Sequence, residues 1–413
     1  MVGKGNSASG WEAYRWTAND GTVGLGDLPG GDFHSEAYGV SGDGSVVVGK
    51  GYSTSGPEAF RWVSGGGMVG LSDLPGGDFD SEARDVSGDG SVVVGLSSSV
   101  SGTEAFRWTA GSGMVGLGDL PGGNFFSCAL GISKDGSVIT GYSHSAPGYE
   151  AYRWTADDGM VGLGDLPGSM FRSDGYAISR DGSAVVGVSI STEGWEAYRW
   201  TASSGMVGLG DLPGGDFHSA AYDVSGDGSI VVGKGTSALG TEAILWTATS
   251  GMVNIKNMLE NDYGLNLTGW LLEYAYGISD DGLTIVGYGI NPHGDTEAWI
   301  AQLPVKAEVD IKPKTINLQG KGGFITCQIW LPEEYDVADV NAYSVFLEDE
   351  IGAEWIWYNE QQHVVMARFS RLDMQDILEP GEVELTVTGE LLDGTTFAGT
   401  DTIKVIHNRK AKP

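Results

Sequence analysis

The sequence has little cysteine, few basic side chains and no long apolar run. Of 413 residues, only Cys128 and Cys327 are cysteines, too few for a disulfide framework or a zinc site. Lys and Arg number 23 against 55 Asp and Glu, and the formal charge of -32 disfavours nucleic acid and anionic lipid as partners. No apolar run approaches the ~20 residues needed to span a bilayer. No signal peptide is visible at the N-terminus.

Glycine and aromatic residues are what the sequence has in abundance. It contains 68 Gly and 13 Trp, and 41% of its residues are hydrophobic. This content is too high for a disordered chain, and the glycines lack the period of three that defines collagen. The length predicts two or three domains.

A repeat of 46 residues accounts for most of the glycines, and its last copy is spaced by 55. The copies of its Glu-Ala dipeptide begin at Glu12, Glu58, Glu104, Glu150, Glu196, Glu242 and Glu297. The nine extra residues of the last interval fall at about 254–274, where 255–259 are predicted to form a short helix. Residues 1–5 are similar to 47–51, so we expect this sequence to start inside a repeat, with the true start trimmed or lost.

Each repeat predicts four short β-strands separated by Gly, Pro and Asp. In the second unit these are strand A near 37–41, B at 46–49, C at 58–62 and D at 69–74. Asp43-Gly44 and Asp20-Gly21 predict hairpin turns. Four strands at this period are typical of a β-propeller blade.

Strand A alternates small residues, which suits the crowded central channel, so we predict that it is the innermost strand. The tight A–B and C–D turns then share one face, and the longer B–C (51–57) and D–A (75–82) loops share the other. Joining the first D strand to the last A, B and C strands gives a six-bladed β-propeller and leaves residues 1 to about 17 over. The alternative is a seven-bladed ring that these residues begin.

The recurring elements Glu-Ala-Phe-Arg-Trp, Gly-Leu-Gly-Asp-Leu-Pro-Gly-Gly and Asp-Gly-Ser-Val-Val-Val-Gly resemble the HAF family of extracellular repeats over residues 2–304. The resemblance implies secretion or display at the cell surface, and it brings no catalytic residues. This sequence has Glu where the family name implies His before Ala-Phe.

A second domain is predicted at 305–413, after a β-propeller at 1–304. Glycine becomes sparse there and the predicted strands lengthen, at 324–330, 364–369, 383–387 and 402–406, with a helical turn near 372–377. The alternation indicates a β-sandwich. The segments 309–313 and 378–389 resemble Ig-like modules of archaeal and bacterial surface proteins, which space, anchor or bind.

The repeated Trp and Asp residues are expected to serve the fold. Each Trp of the series 16, 62, 108, 154, 200 and 246 is predicted to pack between blades. Each Asp of the series 27, 73, 119, 165 and 211 is predicted to accept turn hydrogen bonds. The Asp series is also a candidate for Ca²⁺, although no Asp-x-Asp-x-Asp-Gly loop supports it. No other cofactor is expected.

Positions at which the repeats differ are the candidates for function. They fall at the D–A loop and the start of strand A, on one predicted face. The binding candidates are His34, Tyr38, Asp80, Arg84, Phe126, Arg172, Tyr176, His218 and Tyr222. This mixture suits a polar small molecule or a glycan, and neutral variation of exposed loops is the alternative. Cys128, at one of these positions, is expected to be buried and inert.

Three functions are compatible with this pattern. The first is an extracellular or cell-surface scaffold that binds a glycan or a surface protein through the D–A loop face. The second is a polysaccharide hydrolase or lyase with Glu36, Glu82 or Asp174 as acid or base and His34 or His218 as an alternative base. The third is a subunit of a sheath or filament, self-associating through its N-terminal strands.

Overall fold

The computed structural model describes residues 1–318, 323–333, 335–374 and 377–407. The chain divides into two compact units, Met1–Ala301 and Gln302–Pro413. The division falls three residues before the boundary predicted from composition.

The first unit consists of seven antiparallel sheets in chain order, five of four strands and two of three. The first sheet contains Val2–Ser7, Gly10–Thr17 and Gly21–Gly24. The second sheet contains Glu36–Val40, Val46–Ser53, Gly56–Val63 and Gly67–Gly70, and the third contains Gly76–Val86, Val92–Ser99, Gly102–Thr109 and Gly113–Gly116. The fourth contains Gly122–Ile132, Val138–Ser145, Tyr149–Thr155 and Gly159–Gly162, and the fifth contains Ser173–Ile178, Ala184–Ile190, Trp195–Thr201 and Gly205–Gly208. The sixth contains Ala220–Val224, Ile230–Ser237, Gly240–Thr247 and Gly251–Asn254. The last sheet contains Leu271–Ile278, Thr284–Ile290 and Thr296–Gln302. The predicted helix forms at Ile255–Asp262, where the side chain of Asn254 accepts the N–H of Asn257.

The predicted closure of a six-bladed ring was wrong. Strand Gly21–Gly24 pairs with Gly10–Thr17 and not with the last sheet. Residues 1–17 are therefore not left over, because Val2–Ser7 and Gly10–Thr17 are the other two strands of the first sheet. This is the arrangement of the alternative in which these residues begin a seventh sheet.

Three predicted boundaries also need correction. The D–A loop predicted at 75–82 is largely strand, because strand A of the third sheet runs over Gly76–Val86. The B–C connection is a tight hairpin, with Ser53 paired to Gly56, and not a long loop over 51–57. Strand D ends at Gly70. Two residues later Ser72 has φ of 67°, and the aligned Gly26 has φ of 79°. This left-handed backbone cannot continue a strand.

Strand A lies at the centre of the unit, as predicted. The A–B turns of successive sheets are joined by backbone hydrogen bonds, such as Gly42 N–H to Gly88 O at 3.0 Å and Gly88 N–H to Lys134 O at 2.9 Å. Lys134 and Arg180 of the fourth and fifth sheets both form ion pairs with Asp280 of the last sheet. Turns so far apart in sequence meet only if they surround a common axis.

Hydrophobic cores fill the space between successive sheets. One core joins Ala13 and Leu25 of the first sheet with Val47 and Phe60 of the second, and Trp62 packs against it. The equivalent tryptophans of the next four sheets are placed in the same way, at Trp108, Trp154, Trp200 and Trp246. The prediction that this Trp packs between blades is confirmed for these five.

The described residues of the second unit form two sheets. One consists of Val305–Lys306, Thr315–Asn317, Phe346–Leu347, Ile351–Gly352, Gly381–Glu390 and Thr396–Ile406; the other consists of Glu308–Lys312, Phe324–Trp330, Trp355–Asn359 and Val364–Ser370. Short helical turns lie at Val337–Asp339, Glu360–Gln362 and Arg371–Met374. The predicted helical turn at 372–377 thus begins at Arg371, and its residues 375 and 376 lie outside the described chain.

Candidate functional site

A buried serine fixes the start of strand A in each of five sheets. The hydroxyl of Ser127 accepts the N–H of Ala105 at 2.9 Å and donates to Gly118 O at 2.5 Å, both in the preceding repeat. Ser35, Ser81, Ser173 and Ser219 make the equivalent pair of bonds. The variable positions one residue before this serine and one and three residues after it are therefore presented in the same way around the unit.

At the second sheet, the candidate residues are engaged with one another. Glu36 contacts His34 Nε2 at 2.8 Å, accepts the Tyr38 hydroxyl at 2.8 Å and pairs with Lys4 at 3.0 Å. Burial would raise the pKa of Glu36, but these partners lower it to about 2. A carboxylate held ionised in this way is a poor general acid or base near neutral pH.

The third sheet carries a second closed network. Lys50 lies 3.4 Å from both Asp80 and Glu82, and Arg84 lies 2.6 Å from Glu82. The Arg84 guanidinium also covers the ring of Tyr38, at 4.8 Å from its centroid. The carboxylate of Glu82 is thus shared between two cations, which leaves it little freedom to act as an acid or base.

The fourth sheet contributes apolar groups. Phe126 lies 5.7 Å from Tyr142 and 5.8 Å from Tyr149, measured between ring centroids. Cys128 is 3% exposed, and burial raises the pKa of its thiol to about 12. The prediction that Cys128 is buried is confirmed, and the raised pKa is consistent with the low reactivity expected of it.

An open pocket of about 290 Å³ lies between the fifth and sixth sheets. Five of the residues chosen from the sequence line it, together with Trp195 and Lys234: they are Arg172, Asp174, Tyr176, His218 and Tyr222. The other sequence-chosen residues, on the second to fourth sheets, do not line this pocket.

Arg172 is the most firmly held group in the pocket. Its guanidinium lies 5.2 Å from the ring of Tyr149 and 5.1 Å from the ring of Trp195, and it donates to Asp174 Oδ2 at 3.2 Å. Asp174 is 4% exposed, and its Oδ1 has no hydrogen-bond partner among the described residues. Burial raises the pKa of Asp174, and the nearby Arg172 opposes that effect. The pocket is therefore lined by a buried carboxyl with one oxygen that no described group partners.

A tyrosine stack borders the pocket on the side of the sixth and seventh sheets. Ring centroids lie 5.9 Å apart for Tyr176 and Tyr222, 4.9 Å for Tyr222 and Tyr276, and 5.6 Å for Tyr274 and Tyr276. Tyr288 continues the stack, 4.7 Å from Tyr274. Tyr274, Tyr276 and Tyr288 were not predicted from the sequence, although Tyr276 occupies the strand position of Tyr222. The longer final interval hid this correspondence.

Two aspartates of strand A face the central axis and were also missed. Asp85 accepts the N–H of Ile132 from the next sheet at 3.0 Å, and Asp223 accepts that of Ile278 at 2.8 Å. Burial raises the pKa of Asp85 to about 6 and that of Asp223 to about 7. These carboxylates join neighbouring innermost strands, so we assign them a structural role.

The aspartate before Leu-Pro accepts turn hydrogen bonds, as predicted, at Asp27 and Asp211, each of which accepts three backbone N–H groups. Asp27 accepts the N–H groups of Leu28, His34 and Tyr52, and Asp211 does the same in the sixth sheet.

Within the described chain, no group of three or more His, Cys, Asp or Glu side chains is arranged to hold a metal ion. No described helix has the length and apolar character needed to cross a bilayer.

Comparisons with known proteins concern the fold alone. No protein-family model matches the chain, and no curated protein matches it. A structure of oligogalacturonate lyase in complex with manganese is similar at 13% identity and a TM-score of 0.48, over 74% of this chain and 86% of that one. TolB from Acinetobacter baumannii is similar at 14% identity and a TM-score of 0.42, over 60% of each chain. Both are β-propeller proteins, and no activity is carried over from them.

Proposed function

We propose that this chain is an extracellular or cell-surface protein that binds a glycan in the pocket between the fifth and sixth sheets. The observation that carries the proposal is the convergence there of five residues at positions where the repeats differ. A concave site with aromatic rings and a few placed polar groups is the usual form of a small-molecule site. Its volume, about 290 Å³, is at the small end of the range for ligand pockets.

The surface location is supported by the sequence. The repeats resemble the HAF family of extracellular repeats, and the second unit resembles Ig-like modules of surface proteins. We propose that the second unit spaces or anchors the first, and that the first unit carries the binding site.

A screen of glycans and polysaccharides, read for both binding and turnover, tests the proposal. Tyr222→Ala removes one ring from the pocket and is expected to weaken binding about fivefold or more, the loss of about 1 kcal/mol of aromatic contact. Tyr343→Ala is the matched control, because Tyr343 lies in the second unit and is 93% exposed. Equal affinities for both variants and the unchanged protein, or no glycan bound at all, would refute this site.

An enzyme acting on polysaccharide is a second candidate, favoured by one observation at Asp174. This carboxyl is buried, has one unpartnered oxygen and has a raised pKa, as a general acid or base requires. Glu36 and Glu82 fit this role less well, because its partners lower the pKa of Glu36 and two cations contact Glu82, against the one cation, Arg172, that contacts Asp174. If the chain is a hydrolase or lyase, Asp174→Asn abolishes turnover while glycan binding persists.

A further inference from the structure

We infer that the pocket between the fifth and sixth sheets binds the acidic group of a sugar, a carboxylate, sulfate or phosphate, through Lys234. This inference rests on the proposed function, because it specifies the class of glycan that the pocket takes. It is carried by a comparison between two lysines at the same position of different repeats.

Lys50 and Lys234 occupy equivalent places in strand B of the second and sixth sheets. Lys50 is paired across the sheet with Glu36, and Lys234 with Ala220. The ammonium of Lys50 also has two carboxylates of the following sheet, at Asp80 and Glu82, as ion-pair partners at 3.4 Å. Its charge is therefore balanced within the protein.

Lys234 lacks this balance because a tyrosine replaces the carboxylate. In the sheet that follows Lys50, Glu82 lies in strand A opposite Leu96, the strand B residue that aligns with Lys50. In the sheet that follows Lys234, the equivalent strand A residue is Tyr274, which lies opposite Tyr288. The Nζ of Lys234 lies 5.6 Å from the centroid of the Tyr274 ring. No ion pair joins Lys234 to a carboxylate of the described residues.

The surroundings of Lys234 do not supply a substitute anion. Asp211 is the nearest acidic influence, and its two oxygens already accept the N–H groups of Leu212, Thr236 and His218. Burial lowers the pKa of Lys234, with Asp211 opposing this, as expected for a partly buried ammonium short of a partner. An anion brought by a ligand would restore the favourable pairing that Lys50 has permanently.

The opposite side of the pocket explains why the ligand is an acidic sugar and not a bare anion. There the buried Oδ1 of Asp174 has no hydrogen-bond partner and can only accept one while the carboxyl is ionised. Sulfate offers it no donor, and any simple anion would be repelled by it. A sugar with an acidic group offers an anion to Lys234 and hydroxyl donors to the Asp174 carboxyl, both of which line the pocket.

The net charge of -32 does not oppose this assignment at short range. At physiological ionic strength the Debye length is about 8 Å, so charges elsewhere on the surface are largely screened from the pocket. Within the pocket Arg172 is paired with Asp174, so Lys234, which has no ion pair among the described residues, then determines the preference. Weakening of binding by added salt is expected for the same reason.

Calorimetric titration with matched sugars tests the inference. The probes are glucuronate against glucose, galacturonate against galactose, and glucose 6-sulfate, with sodium sulfate and phosphate alone as further arms. We expect the acidic sugars to bind about tenfold or more tightly than their neutral partners, the size of one charge-assisted hydrogen bond. The simple ions are expected to bind weakly or not at all.

Lys234→Met is expected to remove the preference for acidic sugars, and Lys234→Arg to retain most of it. Lys134→Met is the matched control, since it removes the same charge from the A–B turns, and it should leave the preference unchanged. An unchanged melting temperature shows that each variant is folded.

The outcomes separate this inference from the proposed function. If neutral and acidic sugars bind equally and Lys234→Met binds like the unchanged protein, the acidic class is refuted while glycan binding stands. If no sugar binds, both fail. If sulfate or phosphate alone binds as tightly as the acidic sugars, the site is a simple anion site and the sugar assignment is wrong.

Discussion

Replacement of Ser127 by alanine tests the contact that joins each sheet to the one before it. The side chain of Ser127 is fully buried, and so is its donor residue Ala105. The substitution removes the 2.9 Å bond from Ala105 N–H and the 2.5 Å bond to Gly118 O. The carbonyl of Gly118, which is partly exposed, can turn to water, but the amide of Ala105 cannot.

The expected cost is that of one buried, unsatisfied donor plus one lost hydrogen bond, about 2–3 kcal/mol. Urea unfolding followed by tryptophan fluorescence measures the free energy, and hydrogen exchange at Ala105 measures the effect locally. Ser112→Ala is the control, because the Ser112 hydroxyl is exposed and contacts Thr109 at 2.8 Å. A loss below about 0.5 kcal/mol with unchanged protection at Ala105 would show that the serine does not hold the sheets together.

Three further outcomes are expected. Burial raises the pKa of Asp223 in the folded protein from 3.8 to about 7, so the native state binds its proton more tightly than the unfolded chain does. The stability that this proton contributes is therefore lost as pH rises from about 4 to about 7. In an Asp223→Asn variant, the free energy of unfolding should decline less over this pH range, by about 2 kcal/mol after allowance for solvent screening. Cys128 should resist alkylation at pH 8 until the protein is denatured, because burial raises its pKa to about 12; rapid labelling of the folded protein would contradict this. Asn254→Ala should cost about 1 kcal/mol in unfolding experiments, since its side chain caps the helix Ile255–Asp262, whereas Asn266→Ala, outside the helix, should cost less.

The repeat made the fold of the first unit accessible from the sequence. A period of 46 residues with Asp-Gly turns predicts hairpins, and Gly44 and Gly21 do adopt φ of 70° and 67°. Small residues indicated the innermost strand correctly. A Cβ at Gly39, for example, would lie 2.9 Å from Cα of Asp85 in the next sheet.

The ends of the strands and the closure of the ring were harder to predict from the sequence than the fold of each repeat. The buried side chains of Leu71 and Leu74 predict a continuing strand, although the strand ends at Gly70 and the backbone between the two leucines is left-handed at Ser72. The first D strand pairs with the strand next to it in sequence. A count of strands cannot decide between that local pairing and closure with the last sheet.

The candidate site could be predicted from the sequence only in part, for a related reason. Variation between repeats pointed to Arg172, Tyr176 and His218, which do line one pocket. It missed Lys234, because lysine also occurs at the same position of the second repeat and so looks like part of the common pattern. The difference between Lys234 and Lys50 lies in the following sheet, and only the three-dimensional pairing shows it.

The most direct test of the central claim is a crystal structure of the protein with the tightest sugar from the screen. We expect density for the sugar between the fifth and sixth sheets. Its acidic group should lie within hydrogen-bonding distance of Lys234, and one of its hydroxyl groups within hydrogen-bonding distance of Asp174. Density at the A–B turns, at the second unit, or in the pocket with the acidic group turned away from Lys234 would contradict it.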